Sequence, residues 1–229
     1  MPNRLPQTYH SGHTDDIRYF IQHIRARIPE ESSLHAVAYS LGANAMLKYL
    51  GEEREACPLA SAIAVSPPLV LEVGANRIRQ GFSRVYQRYL LQGMREQHRL
   101  RIQQYPQHNL PADTDDWKDL WDFDAAVTAP LNGFEDVHDY YHRSSSRQYL
   151  RHIGIPTQII HALDDPFFTD EVIPTDDELS SAVTFELCQQ GGHVAFVASA
   201  NPLRPTYWLE PRMLDLLESA SNNQPNISG

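Results

Sequence analysis

The spacing of apolar residues changes several times along this chain, and each change marks an element. A short run, Leu34-His35-Ala36-Val37-Ala38, leads through Tyr39-Ser40-Leu41-Gly42 into helix-forming residues from Ala43 to Leu50. Such a pattern reads as strand, sharp turn, helix. Leu59 to Val65, Thr157 to Ala162 and Val183 to Cys188 are further strand-like runs. The first of these is small and β-branched nearly throughout, as expected of a strand buried on both faces. Ile17, Phe20, Ile21, Ile24 and Ile28 recur at helical spacing behind Thr14, Asp15 and Asp16, which predicts a helix capped by Thr14 and closed by Pro29. A last helix is predicted from about Thr206 to Leu217, with Trp208, Leu214 and Leu217 on its apolar face. From Ser219 onward the residues are small and polar and predict a frayed tail, in which the Asn-Ile-Ser sequon at 226–228 has no meaning for a cytoplasmic protein.

Between Val70 and Leu150 the pattern is helical, with no strand-like period. Arg77, Arg79, Arg84, Arg88, Arg95, Arg99 and Arg101 fall in one stretch, and Asp113, Asp115, Asp116, Asp119, Asp122 and Asp124 in the next. The arginines read either as a site for phosphate or carboxylate groups or as basic helix faces partnering the acidic stretch, and the second reading is preferred. Aromatics of the same segment, from Phe82 and Tyr86 to Tyr140 and Tyr141, are expected mainly to pack its interior, a few of them lining an acyl pocket above Ser40.

Composition narrows the possibilities. With 229 residues, 41% hydrophobic and 21% charged, one domain with an insertion is expected. The formal net charge of -10 argues against a nucleic-acid binder and gives no help towards an anionic membrane surface. Cys57 and Cys188 are the only cysteines; a disulfide framework is not expected, and a reducing cytoplasm fits. No apolar run is long enough to span a bilayer. His10 and His13 stand at a chelating spacing without a third ligand nearby, so they read as hydrogen-bonded loop histidines. No metal and no cofactor are expected.

The chemistry lies in the turns that follow the strands. A serine hydroxyl needs a base to take its proton, and a histidine does this best when a carboxylate fixes its tautomer. In a parallel sheet all three groups must come from the carboxyl ends of strands. Ser40 follows the first strand between the small residues Ala38 and Gly42, which leave room where strand and helix approach closely. Asp165 follows a later strand in Ala162-Leu163-Asp164-Asp165-Pro166, and His193 follows the last in Gly191-Gly192-His193. Asp165 is preferred to Asp164 because it directly precedes Pro166, where the loop turns over the sheet. Each turn alone is common; three in the order Ser, acid, His make a catalytic triad the preferred reading. The backbone N–H of Leu41, at the helix start, is the expected oxyanion donor.

These residues carry a resemblance. Tyr9-His10-Ser11-Gly12, Tyr39-Ser40-Leu41-Gly42 with Asn44, the run Gly81 to Leu90, Phe123-Asp124, Tyr140-Tyr141, Ile160-His161-Ala162 with Asp164-Asp165-Pro166, and Gly191-Gly192-His193-Val194 resemble the bacterial YheT-like α/β-hydrolases, relatives of plant EMB8 and animal ABHD hydrolases. The likeness runs from about residue 2 to 217. It implies an α/β fold of the α/β-hydrolase type: a mostly parallel sheet with flanking helices, a core of residues 1–70 and 150–229, and a helical cap insertion at 71–149. It further implies a serine hydrolase acting on carboxylic esters, short- to medium-chain or lipid, through Ser40, Asp165 and His193 and an acyl-enzyme intermediate.

Two departures from that pattern matter. Ala38 and Ala43 stand where the family usually or often has Gly, a minor change. The strands expected before the nucleophile strand, with the loop that presents a second N–H to the oxyanion, have no counterpart, so the N-terminal half of the sheet is expected to be missing. The Ser40 strand then becomes an edge. The alternative to an active esterase is therefore a truncated, non-catalytic hydrolase remnant, and an acyltransferase or lyase on the same scaffold also stays open.

Overall fold

The computed structural model describes residues 6–108, 110–198 and 204–222. Among these residues four short strands, β1 (His35–Tyr39), β2 (Ser61–Val65), β3 (Thr157–Ala162) and β4 (Val183–Cys188), form one parallel sheet in the order β1-β2-β3-β4. β1 lies at its edge among the described residues and leaves Val37 and Tyr39 exposed. In the β1–β2 register Tyr39 stands opposite Val65. The turns that follow these two strands therefore begin side by side.

Among the described residues eight α-helical segments accompany the sheet: α1 (Asp15–Arg25), α2 (Ser40–Glu53), α3 (Leu71–Arg77), α4 (Ser83–Gln104), α5 (Leu120–Phe123), α6 (Ala129–Leu131), α7 (Val137–Ser144) and α8 (Leu209–Asn222). A π-helical turn, Asp124–Thr128, joins α5 to α6. Alternation along β2 divides the core. Ala62 and Ala64 face α2 with Leu47, Leu50 and Ile159, while Ile63 and Val65 face α8 with Phe196, Leu209 and Met213. Every position of β2 is buried, as its composition predicts. Helices α3 to α7 lie between β2 and β3 in the chain and pack into two aromatic-rich clusters of their own.

Several predicted details differ from the structure. Thr14 precedes α1, but its hydroxyl donates to Glu52 on α2 at 2.7 Å and does not cap the helix. α1 ends at Arg25, short of Pro29, and Phe20 is exposed; Arg18 instead ties the helix to Glu52 and Glu53. The last helix starts at Leu209 and continues to Asn222, so the predicted tail is helical over its first residues, and the sequon at 226–228 lies outside the described residues. Leu214 points outward while Met213 and Leu217 pack inward. A Cβ on Gly42 would meet nothing within 4 Å, so close approach does not explain that glycine. Among the described residues β1 has no further strand on its outer side.

What fixes the first loop and α7 upon the sheet is one buried amide. Asn44, one turn into α2, has no solvent exposure. Its Nδ2 donates to the carbonyls of Ser11 and Ser144, each at 2.8 Å, and its Oδ1 accepts the Ser146 N–H at 2.9 Å. Gly12 lets the two segments close on each other, since a Cβ there would stand 2.7 Å from the Ser144 Cα. Buried polar groups left without partners cost about 1–3 kcal/mol each. Asn44→Asp sets a carboxylate oxygen against two carbonyls in nearly the same volume and is expected to destabilise the fold by about 3 kcal/mol or more in urea unfolding. A loss below about 1 kcal/mol would show that the clamp is dispensable.

Candidate active site

Ser40 sits where β1 turns into α2, with φ +49. A non-glycine residue in this left-handed region is strained by about 1–3 kcal/mol and persists only where its surroundings enforce it. The sharp turn lifts the hydroxyl above the strand end. Its Oγ lies 2.8 Å from His193 Nε2, and His193 Nδ1 lies 2.8 Å from Asp165 Oδ2. Asp165 is buried, and its other oxygen accepts the Phe167 N–H at 2.9 Å. All three predicted residues thus meet in one hydrogen-bonded line. Leu41 is the second residue of α2, so its N–H belongs to the helix's first four, which have no acceptor within the helix.

The neighbouring carboxylate has a different task. Asp164 Oδ1 accepts the N–H groups of Gly191 and Gly192, both at 2.8 Å, and so shapes the turn that carries His193. Gly192 has φ +62, and a Cβ on Gly191 would stand 2.5 Å from the Phe196 ring, which explains the glycine pair. Phe167 meets the imidazole edge-on at 4.7 Å between centroids, and Phe168 lies behind it at 5.7 Å. Ser66, fully buried directly after β2 with φ +48, donates its hydroxyl to the His193 carbonyl. The histidine is therefore held through its ring, its turn and its own main chain.

A cavity of about 470 Å³ opens beside Ser40 and His193. Leu71, Ile78, Leu90, Met94, Leu120 and Phe123 give it apolar walls. Its polar side comes from two places. Tyr140 OH meets Ser11 Oγ at 2.8 Å and accepts the Ser11 N–H at 3.1 Å. Asp124, at the head of the π-helical turn, accepts from Thr128 Oγ1 at 2.6 Å and from Tyr141 OH at 2.9 Å. Burial pushes its carboxyl up to about 6, although both hydroxyls oppose the rise. Burial, and next the charge on His13, lowers His10 to about 4. His10 Nδ1 accepts the Gly12 N–H at 3.2 Å, which leaves the proton of the neutral ring on Nε2. His10 and His13 meet edge-on, 5.4 Å between centroids, as packed loop residues.

A family model described as alpha/beta hydrolase fold matches residues 2–200. The chain belongs to the alpha/beta hydrolase family. Among relatives within it, YheT of Escherichia coli (strain K12), provisionally named an esterase, is 38% identical over 94% of this chain and 64% of its own length. The embryogenesis-associated protein EMB8 of Picea glauca is 30% identical over 97% of this chain and 50% of its own. The monoacylglycerol lipase of Saccharomyces cerevisiae (strain ATCC 204508 / S288c) is 31% identical over 90% and 47%. The chain therefore spans less than two thirds of the length of each. These relatives bear out the family expected from the sequence, and the parallel sheet with its flanking helices is the expected hydrolase architecture.

Three contributors to the site were not singled out from the sequence for the part they play. Ser66 directly follows the strand-like run Leu59 to Val65, and a serine at the same place as Ser40 on the adjacent strand is a usable signal. Asp164 was weighed only as a rival to Asp165. Asp124 belongs to the acidic stretch, yet it stands between Phe123 and the apolar Ala125-Ala126-Val127, where a solvated acid is out of place. Between pH about 4 and about 6 the unfolded chain has released the Asp124 proton and the folded chain retains it. Stability is therefore expected to fall as pH rises through this window, by up to about 3 kcal/mol. Asp124→Asn should flatten that fall in urea unfolding measured at pH values across the window; an unchanged profile would mean that the carboxyl titrates normally.

Proposed function

We propose that this chain is a serine esterase that hydrolyses carboxylic esters of short to medium acyl chains or lipids through an acyl-enzyme intermediate. The observation that carries the reading is the line Ser40 Oγ, His193 Nε2 and Nδ1, Asp165 Oδ2, with both contacts at 2.8 Å, beside an apolar cavity. As Ser40 Oγ attacks the ester carbonyl carbon, its proton passes to His193 Nε2, and Asp165 steadies the imidazolium formed. The carbonyl oxygen takes up the negative charge against the Leu41 N–H. Collapse breaks the bond to the alcohol oxygen, which leaves with the proton from His193. Water then repeats the cycle on the acyl-Ser40 ester, losing its proton to His193 and releasing the acid. The steps proposed draw on no metal and no cofactor.

Support for a lipid or fatty acyl substrate comes from the apolar walls and from the relative named a monoacylglycerol lipase. Residues 71–149 serve in this reading as a cap over a core of 1–70 and 150–229, supplying most of those walls. No helix among the described residues is long and apolar enough to cross a membrane, and the two unbridged cysteines suit a reducing cytoplasm. A second reading, a non-catalytic hydrolase remnant, draws on the free edge of β1 and on Leu41 as the one oxyanion donor identified. Loss of a donor costs on the order of a hundredfold to a thousandfold in turnover.

Covalent labelling by a fluorophosphonate, read by intact mass, separates the two. One adduct per chain, absent in Ser40→Ala, is expected, together with hydrolysis of p-nitrophenyl acyl esters. Asp165→Asn should retain the fold and lower turnover by about 10³- to 10⁴-fold, because the wrong imidazole tautomer is then favoured. A folded, soluble sample that takes no label would exclude the esterase reading for this chain.

A further inference from the structure

The solvent side of α4 is divided in a way that packing alone does not require. At about 100° per residue, Ser83, Gln87, Leu90, Leu91, Met94 and His98 share one face. Ser83, Gln87, Leu91 and His98 are buried there, and Leu90 and Met94 line the cavity. Beside it runs a row of arginines, Arg84, Arg88, Arg95 and Arg99. Beyond that row Phe82, Val85, Tyr86 and Tyr89 form a stripe over the first turns of the helix, all exposed, Phe82 to 89% and Tyr89 to 74%. Large aromatic and apolar side chains in a contiguous exposed stripe mark a contact surface.

Charge identifies what the stripe suits. The chain as a whole is acidic, with a net charge of -10, yet residues 77–101 carry seven of its 19 basic residues and a single acid, Glu96. The expected pairing with the acidic stretch is realised only in part. Arg79 meets Asp119 at 3.3 Å and Arg99 meets Asp115 at 2.7 Å. Arg95 donates to the Trp117 carbonyl. Arg84 and Arg88 have no ion-pair partner among the described residues. A helix with an aromatic stripe flanked by free arginines has the make-up of a segment that lies in a lipid headgroup layer, with tyrosine rings at the interface and guanidinium groups near phosphates.

The stripe also reaches the site. Tyr86 belongs both to it and to the cavity wall, and its ring stacks on Phe167 at 5.0 Å, which in turn meets His193 at 4.7 Å. We propose that α4 docks this protein on an anionic lipid surface, with Phe82, Val85, Tyr86 and Tyr89 entering the headgroup region and Arg84 and Arg88 facing lipid phosphates. The cavity mouth at Tyr86 is then held against the layer that supplies the ester, a last step that rests on the esterase reading, whereas the docking does not. The net charge of the chain gives no hint of this, because an adsorbed protein presents one face to the surface.

The test is co-sedimentation of the 229-residue chain with large vesicles of phosphatidylcholine alone and with about 30% phosphatidylserine. Binding is expected to be at least about tenfold stronger to the anionic vesicles and to weaken as salt is raised. Arg84→Glu with Arg88→Glu should abolish the anionic preference, and Phe82→Ser with Tyr89→Ser should lower binding to both compositions about tenfold. These side chains are exposed, so circular dichroism and fluorophosphonate labelling at Ser40 should be unchanged in every variant. Labelling without vesicle binding would overturn the docking and leave the esterase reading intact. Binding without labelling would do the reverse. Equal binding to both vesicle types would overturn the proposal, as would a concentration-dependent dimer, in sedimentation equilibrium, that the Phe82 and Tyr89 changes abolish.

Discussion

Asn44 is surrounded by protein, so its side-chain amide finds every hydrogen-bond partner in the fold or goes without. It takes two carbonyls and one N–H from segments more than 30 and about 100 residues away, and the geometry around Ser40 follows from that. The Ser11 loop supplies His10 and Ser11 to the cavity, and α7, whose end the amide holds, carries Tyr140 and Tyr141, whose hydroxyls meet Ser11 and Asp124. Because Asn44 lies one turn beyond Ser40 on the same helix, the cavity wall is referenced to the helix whose first residue is Ser40. A helix–strand turn alone would hold a serine; the amide makes the serine part of a pocket.

Sequence reasoning succeeded where one local pattern determines one local outcome. The bounds of β3 and β4 are the predicted ones, because an apolar run ending in a polar turn has few other ways to satisfy its backbone in a parallel sheet. Asp165 was distinguished from Asp164 by its place before Pro166, and the structure puts the two carboxylates on different partners, one on the His193 ring and one on the amides of the turn before it. Long-range polar contacts were not legible. The Thr14 hydroxyl goes to a glutamate 38 residues away rather than to its own helix. Asp124 reads as one acid among six until Tyr141 and Thr128 are seen to enclose it. Such outcomes depend on which elements become neighbours, and spacing along a chain does not encode that.

The helical segment between β2 and β3 uses its aromatics in three ways that the sequence does not separate. Trp117 and Phe123 pack edge-on at 5.3 Å inside a cluster of their own. Tyr86, Phe123, Tyr140 and Tyr141 line the cavity. Phe82 and Tyr89 face solvent. An aromatic ring contributes similar apolar area in each setting, so its identity alone does not say whether it serves stability, a pocket wall or a surface. The helix face decides, and the packing of Leu91 and His98 on α4 against Trp117 and Phe123 fixes that face.

Ser40 and Ser66 follow adjacent strands at the same level and share nearly the same left-handed backbone, φ +49 and +48. One hydroxyl points at the ring of His193 and the other holds the carbonyl of the same residue. The two serines are duplicate brackets on a common rail, and the register of β1 on β2 is the only ruler between them. A shift of one strand by a single residue would carry a bracket about 3.3 Å along the rail, past hydrogen-bonding reach of the histidine. The precision of the site is thus a property of strand alignment, inherited from the main-chain ladder and largely indifferent to which apolar side chains fill the core beneath it.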